Sequence, residues 1–284
     1  DYGFARTTDY TGKFDFGLTT NSVTQLSDSR VNRKNILIEN LLSFDRIIGD
    51  HKITALVGYS FQKNGYRYLI GSGQNLPKGL EELGAATTQL FASGNSSTST
   101  LTSIISRLFY SYKNRYLITA TLRRDGSSRF APQNRYGSFP SFSVGWNMAE
   151  ENFMKKFTWL DQLKVRGGYG VLGNQEIGDY QFASTITTGI NYPDGKGGLI
   201  QGAFPKVFSS PNIKWESTAM TNVGIDLVAV KNRLSIVADY YIKDTKDILL
   251  NVPIPISSGG SNDPIRNAGS IQNKGFEFNV DWND

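Results

Sequence analysis

Apolar and polar side chains alternate with a period of two along most of this chain, and that period belongs to extended strands, whose successive side chains point to opposite faces. Ile53, Ala55, Val57, Tyr59 and Phe61 fall on one face of such a strand, with Thr54, Gly58, Ser60 and Gln62 on the other and Leu56 as the exception. Tyr116, Ile118, Ala120 and Leu122 stand against Thr119, Thr121, Arg123 and Asp125, and Phe142, Val144, Trp146 and Met148 against Ser141, Ser143, Gly145 and Asn147. Leu163, Val165, Tyr169 and Val171 alternate with Lys164, Arg166, Gly168 and Gly170, and Val223, Ile225 and Leu227 with Asn222, Gly224 and Asp226. Further strands are predicted from Ile236, Ala238, Tyr240 and Ile242 and from Phe276, Phe278, Val280 and Trp282. The alternation blurs in residues 36–44, apolar in part on both faces, and in 104–112, where Ile105 and Phe109 occupy the otherwise polar face.

A soluble sandwich shows the same alternation, so the connections decide between architectures. Tight connections are predicted at Gly49-Asp50-His51, Lys113-Asn114-Arg115 and Lys231-Asn232-Arg233, where Gly, Asn and Asp tolerate positive φ. They alternate with long loops expected at about 63–99, 124–137, 173–212 and 244–268, which are rich in Gly, Ser, Asn, Pro and Thr. Short turns at one end and long loops at the other mark an outer-membrane barrel. Residues 150–160 read as a helical turn in a short-end connection. Tyr110, Tyr112, Tyr116, Phe153, Phe157 and Trp159 lie near that end, where aromatic residues form an interfacial girdle.

Composition narrows the chemistry. Hydrophobic residues make up 39% of the chain and no run reaches the roughly eighteen apolar residues of a spanning helix, so any membrane crossing must be made by strands in a closed sheet. Cysteine is absent, which removes thiolate chemistry and zinc-thiolate sites. The net charge of +5 is spread along the chain without a Lys/Arg cluster, so nucleic acid is not an expected partner. The one histidine, His51, falls in a tight turn, away from the rim where a Ser/His hydrolase site would sit. Glu81-Glu82 and Glu150-Glu151 read as solvated loop charge, and no spacing suggests a metal site.

Several separated motifs then carry a resemblance. The chain reads Leu117-Ile118-Thr119-Ala120-Thr121-Leu122-Arg123-Arg124-Asp125-Gly126-Ser127-Ser128-Arg129-Phe130, then Asn134-Arg135-Tyr136-Gly137-Ser138-Phe139-Pro140-Ser141, Val144-Gly145-Trp146 and Glu150-Glu151-Asn152-Phe153-Met154. Further on come Leu163-Lys164-Val165-Arg166-Gly167-Gly168-Tyr169-Gly170, Gly173-Asn174-Gln175, Lys214-Trp215-Glu216-Ser217-Thr218 and Asn267-Ala268-Gly269-Ser270-Ile271-Gln272-Asn273-Lys274-Gly275-Phe276-Glu277. In identity, order and spacing these resemble the barrel of SusC/RagA-type TonB-dependent transporters of Bacteroidota, over most of residues 36–284.

The resemblance implies an all-β fold, an antiparallel transmembrane β-barrel of about 22 strands whose lumen is blocked by an amino-terminal plug domain. At about ten residues per spanning strand plus loops, 284 residues hold about eight to ten strands, so a partial segment is expected, with plug, TonB box and closing strand absent. It further implies uptake of oligosaccharides or peptides through the outer membrane, among membrane lipid and lipopolysaccharide. A SusD-like surface lipoprotein would be the lid, and TonB with its inner-membrane motor the source of energy. No enzymatic activity and no cofactor are implied. Arg123, Arg124 and Arg129 are candidate substrate contacts in the lumen; the competing role is bracing, through Asp125 or neighbouring loops, with Asp125-Gly126 expected to begin a turn at the top of a strand. Two other functions stay open, a passive porin and a soluble all-β glycan-binding module to which Trp215 and Tyr192 would offer stacking faces.

Overall fold

The computed structural model of the chain describes residues 1–255, 257 and 262–284. Its first strands are β1 (Tyr2–Thr11), β2 (Phe14–Asp15), β3 (Thr20–Asn21), β4 (Gln25–Ile48), β5 (His51–Gln74) and β6 (Thr88–Tyr112). There follow β7 (Tyr116–Ser127), β8 (Tyr136–Asn147), β9 (Leu160–Asn174), β10 (Thr185–Pro193) and β11 (Leu199–Val207). The last are β12 (Glu216–Ala229), β13 (Leu234–Lys246), β14 (Leu249–Asn251), β15 (Ile265–Asn267) and β16 (Ser270–Trp282). Ten of them form one sheet in the order β1-β4-β5-β6-β7-β8-β9-β12-β13-β16, so chain neighbours pair directly apart from small hairpins inserted in the connections. Those hairpins are β2-β3, β10-β11 and β14-β15. The strand count agrees with the expectation.

Two compact units divide the chain, residues 1–38 with 61–100 and residues 39–60 with 101–284. In the first, β1 pairs antiparallel with the start of β4, from Tyr2↔Lys34 to Thr11↔Gln25, and the Arg6 guanidinium forks onto both carboxylate oxygens of Asp28 at 3.0 and 2.8 Å. Leu26, Leu76 and Ala86 form a small buried cluster with Leu83 against it. Thr24 ties it together, accepting the Leu76 N–H at 2.6 Å and donating to the Leu76 carbonyl at 3.1 Å. The long loop expected at 63–99 is overturned here, because β5 runs unbroken to Gln74 and β6 starts at Thr88. Ser, Thr, Asn and Gly in those segments interrupt the alternation and read locally as loop. The ladder hydrogen bonds of a neighbouring strand hold such residues extended whatever their local turn preference.

In the second unit the tight turns stand where expected. Gly49, Lys113, Asn114, Lys231 and Asn232 all take positive φ, between 52° and 63°. Backbone hydrogen bonds line these turns up at one end: Lys113 N–H to Asp50 O at 2.8 Å, Asn147 N–H to Arg115 O at 2.7 Å, Val230 N–H to Trp159 O at 2.8 Å and Asn283 N–H to Arg233 O at 2.8 Å. Residues 150–160 do not form the expected helical turn. Met148–Glu150 is a single 3-10 turn, and beyond it the N–H groups of Met154, Phe157 and Leu160 each bond the carbonyl three residues back. Glu151 is extended, at φ −76° and ψ 146°, which ends the 3-10 turn, and the bonds beyond it are i→i−3, so the segment is a run of separate turns.

At the other end Asp125 and Gly126 do not begin a turn. Both lie in β7 with partners on either side, Asp125 opposite Ser103 and Gly137, Gly126 opposite Thr102 and Tyr136, and the chain leaves the sheet only after Ser127. The segment 173–212 contains the β10-β11 hairpin, and 244–268 contains the end of β13 and the β14-β15 pair; residues 256 and 258–261 of the latter lie outside the described residues.

The two faces of this unit differ as the alternation predicts. Ile104, Leu108, Ile118, Leu122, Phe142, Val144, Val223, Ile225, Phe276 and Phe278 stand exposed on one face. Ser103, Ser111 and Gly224 on the other are buried. Ile105 and Phe109 share that covered face, opposite Arg123 and Thr119.

Candidate functional site

Three connections at the loop end of the second unit converge on an apolar core. Phe130, Ile177, Ile213 and Trp215 come from the connections and Phe139 from β8, with Leu101, Val171, Phe182, Leu249 and Ile265 packed against them. The Trp215 ring lies 5.0 Å from Phe130 and 5.4 Å from Phe139, the latter nearly edge-on, and its indole N–H donates to the Arg135 carbonyl at 3.2 Å. Trp215, expected to be an exposed stacking face for a glycan module, is 9% exposed. Burying its ring against two phenylalanines removes far more apolar surface from water than a single exposed indole could. Tyr192 does stand exposed, on β10.

Side-chain amides stitch the backbone above this core. Gln133 donates to the Pro211 carbonyl at 2.8 Å and Asn134 to that of Asn212 at 3.0 Å. Ser210 donates its hydroxyl to the Ile265 carbonyl at 2.6 Å. Asn267 accepts the Lys214 N–H at 2.9 Å and donates to the carbonyls of Lys214 and Asp247, each at 2.8 Å. Every one of these bonds joins segments remote in sequence, so the loop end is a built structure.

The three arginines singled out from the sequence are not brought together. Arg123 projects from the covered face of β7, where its Nε meets both oxygens of Asp125 at 2.8 Å and its Nη2 reaches the Ser103 hydroxyl at 3.3 Å. Arg124, one residue on, points to the opposite face and lies over the Tyr136 ring at 5.1 Å. Arg129 joins two connections, donating to Asp179 at 3.2 Å and to the Gln175 carbonyl at 3.3 Å. Each already has a partner within the chain.

Beside the cluster opens a cavity of about 460 Å³, lined by residues 209–214 with Asp247, Arg266 and Asn267. Lys214 pairs with Asp247 across its wall at 2.9 Å. Sequence reading missed this site because its walls come from connections about fifty residues apart; the one signal was that Lys214 and Asn267 both fall in the family-like motifs.

A second polar constellation occupies the covered face of β9, β12 and β13. Arg166 Nε bonds Asp226 at 3.0 and 3.1 Å, and its Nη2 bonds Asp239 at 2.7 Å. Gly224 lies between them, and a β-carbon there would collide with the Asp239 carboxylate and meet the Arg166 guanidinium at 2.9 Å. Nearby Phe109, Leu117, Thr119, Lys164 and Asn222 line a smaller cavity of about 210 Å³.

At the short-turn end the aromatic residues form a row across adjacent strands. His51 lies 4.9 Å from Tyr112, Tyr112 lies 6.4 Å from Tyr116, and Tyr116 lies 6.5 Å from Trp146. Their polar tips point to fixed partners, His51 Nδ1 to the Tyr110 hydroxyl at 2.8 Å and the Tyr116 hydroxyl to Glu151 at 2.7 Å. Trp146 and Arg115 also donate to Glu151, each at 3.2 Å. The Tyr116 hydrogen bond, with help from Trp146 and Arg115, holds the Glu151 carboxyl below the usual glutamate range. In the connecting turns, Asp50 raises the ammonium of Lys113 above its ordinary value.

The chain is similar to known proteins. The chain is 37% identical over 255 residues to the TonB-dependent receptor P39 of Formosa agariphila, covering 85% of this chain and 23% of that protein. It is 41% identical over 186 residues to the TonB-dependent receptor SusC of Bacteroides thetaiotaomicron, 64% of this chain and 18% of that protein. The chain thus spans about a quarter or less of the curated relatives it matches. Among solved structures, that of the RagAB peptide transporter superposes with a TM-score of 0.89 over 99% of this chain and 31% of that chain, at 24% identity, which speaks to the fold. Residues 1–283 match the family model described as TonB dependent receptor-like, beta-barrel, and the chain belongs to that family, as its SusC/RagA-like motifs indicate.

Proposed function

We propose that this chain is wall and rim of an outer-membrane importer that takes up oligosaccharides or peptides, energised through TonB. The observation that carries the reading is the exposed apolar face of the second unit. Val223 and Ile225 are 54% and 46% exposed, and Phe276 and Phe278 still more, on a face whose neighbours are equally apolar. Such a band is costly in water and stabilising in hydrocarbon. The short-turn end with its aromatic row then faces the periplasm and the braced loop end faces outside. The relatives named for TonB-dependent reception, SusC among them, support energised import over a passive pore, and support a SusD-like lipoprotein as the lid. The barrel family model takes up residues 1–283, so a plug and TonB-contacting segment would be carried outside them. Arg123 and Arg129, with their partners inside the chain, are proposed to brace the loop end.

The test is uptake by the full-length protein in its own outer membrane. Saturable entry of an oligosaccharide or peptide that stops when TonB is deleted or the proton gradient is collapsed supports importer function. Entry that persists undiminished without TonB would leave the passive pore. Surface labelling in intact cells checks the orientation: a tag at position 190 should react and one at 232 should not.

A further inference from the structure

The loop-end cavity is lined by a cation that no acid neutralises among the described residues. β15 holds its residues in a strict order: Ile265 packs into the apolar cluster and gives its carbonyl to Ser210, Asn267 is tied to Lys214 and Asp247, and Arg266 between them projects into the cavity. Lys214 and Asp247 satisfy one another at 2.9 Å, so the acid nearest to hand is already taken. Arg266 has no ion pair or hydrogen bond among the described residues, and neither does the side-chain amide of Asn212 in the facing wall. The cavity is thus open to solvent, braced by the Ser210 and Asn267 hydrogen bonds, and presents a guanidinium and an amide that are unpaired among the described residues.

A guanidinium presents a planar fork of N–H donors that matches a carboxylate in two parallel hydrogen bonds, and it stays charged at any physiological pH. One net positive charge in a cavity suits a singly charged planar anion better than a doubly charged phosphate, which would leave a negative charge beside Asp247. We infer that this cavity binds a carboxylate group of the transported oligomer, with Arg266 as the primary contact and Asn212 as a second donor. The inference rests on the importer reading and adds a substrate class to it, acidic oligomers. The same carboxylate could be borne by a uronic-acid saccharide or by an acidic peptide.

The experiment uses the full-length transporter, purified in detergent, and titrates four probes: a galacturonic acid trimer, its neutral methyl ester, an aspartate-containing tripeptide and its asparagine analogue. At least one acidic probe should bind about ten-fold or more tightly than its neutral partner, and which one does so identifies the carrier of the carboxylate. Arg266→Gln should remove that preference without weakening the neutral probe, and Arg266→Lys should keep part of it. Because the Arg266 side chain is exposed and makes no hydrogen bond or ion pair among the described residues, neither variant should disturb folding. Equal binding of acidic and neutral probes by the unaltered protein, or an acid preference that survives in Arg266→Gln, overturns the inference. TonB-dependent uptake of the neutral probes is followed in parallel, so importer function can stand while the cavity assignment falls, and binding at the cavity can stand while uptake fails.

Discussion

The loop end and the sheet wall of the second unit are made from the same apolar residue types and treat them in opposite ways. At the loop end Phe130 and Ile213 are 0% and 2% exposed, interleaved with hydrogen-bonded backbone as in a water-soluble core. On the wall Val223, Ile225, Phe276 and Phe278 stand exposed, with no second layer over them among the described residues. Under the proposed reading, two solvents act on one chain. Where the surroundings are water the chain folds its phenylalanines inward, and where they are hydrocarbon it needs no second layer and turns its polar groups inward. Substitutions that respect one solvent should therefore fail in the other.

The largest effect is expected at the loop end. Trp215→Ala deletes the ring that joins Phe130 to Phe139 and should cost about 3 to 5 kcal/mol locally. Limited proteolysis of the full-length protein should then cleave within 175–215 well before the wall unfolds; simultaneous loss of both would mean that the rim is not a separate core.

Next comes the wall. Ile225→Arg in the assembled barrel should destabilise by about 2 to 4 kcal/mol if it lies near mid-bilayer, whereas Asn279→Arg, whose side chain projects from the opposite face of β16, should stay within about 0.5 kcal/mol. Urea unfolding in lipid vesicles measures both. Similar penalties at the two positions would remove the distinction between lipid and lumen.

Gly224→Ala tests the covered face. A methyl group there intrudes between Arg166 and Asp239, and overpacking of this kind costs about 1 to 3 kcal/mol. The same unfolding assay reads it, and full tolerance would mean that the ion cluster yields freely.

The smallest effect is a pH slope. The Glu151 carboxyl is held below its ordinary value of 4.5 by the Tyr116 hydroxyl. A group depressed on folding stabilises fully above its unfolded value, and that contribution fades as pH falls through the lower folded value. Melting profiles should thus lose stability below the ordinary glutamate range, and Glu151→Gln should flatten that part of the slope while leaving uptake intact. An unchanged slope would disconnect Glu151 from the turn-end row.

Strand faces and tight turns were legible in the sequence because both are local. Side-chain direction alternates residue by residue, and Gly49, Asn114 and Asn232 mark turns by their own tolerance of positive φ. The exposed apolar row from Ile104 to Phe278 follows from alternation alone, and the family-like motifs supplied the architecture. What local pattern could not contain was pairing at a distance. The extensions of β5 and β6 through 63–74 and 88–99 mix Ser, Asn and Gly with Tyr66, Leu69, Ile70, Leu90 and Phe91 without a clean alternation, and a neighbouring strand's hydrogen bonds make them strands rather than loop. The same holds for Asp125-Gly126, which has turn chemistry but lies between two partner strands. Trp215 is buried because Phe130 and Phe139, about eighty residues earlier, close over it. The cavity with Arg266 exists because Asn267 and Ser210 tie two distant connections together. Alternation is a property of each residue and its neighbour, so it can be read in sequence. The rim is a property of contacts whose loop-closure entropy is met only once the sheet beneath has formed, so it is decided in three dimensions.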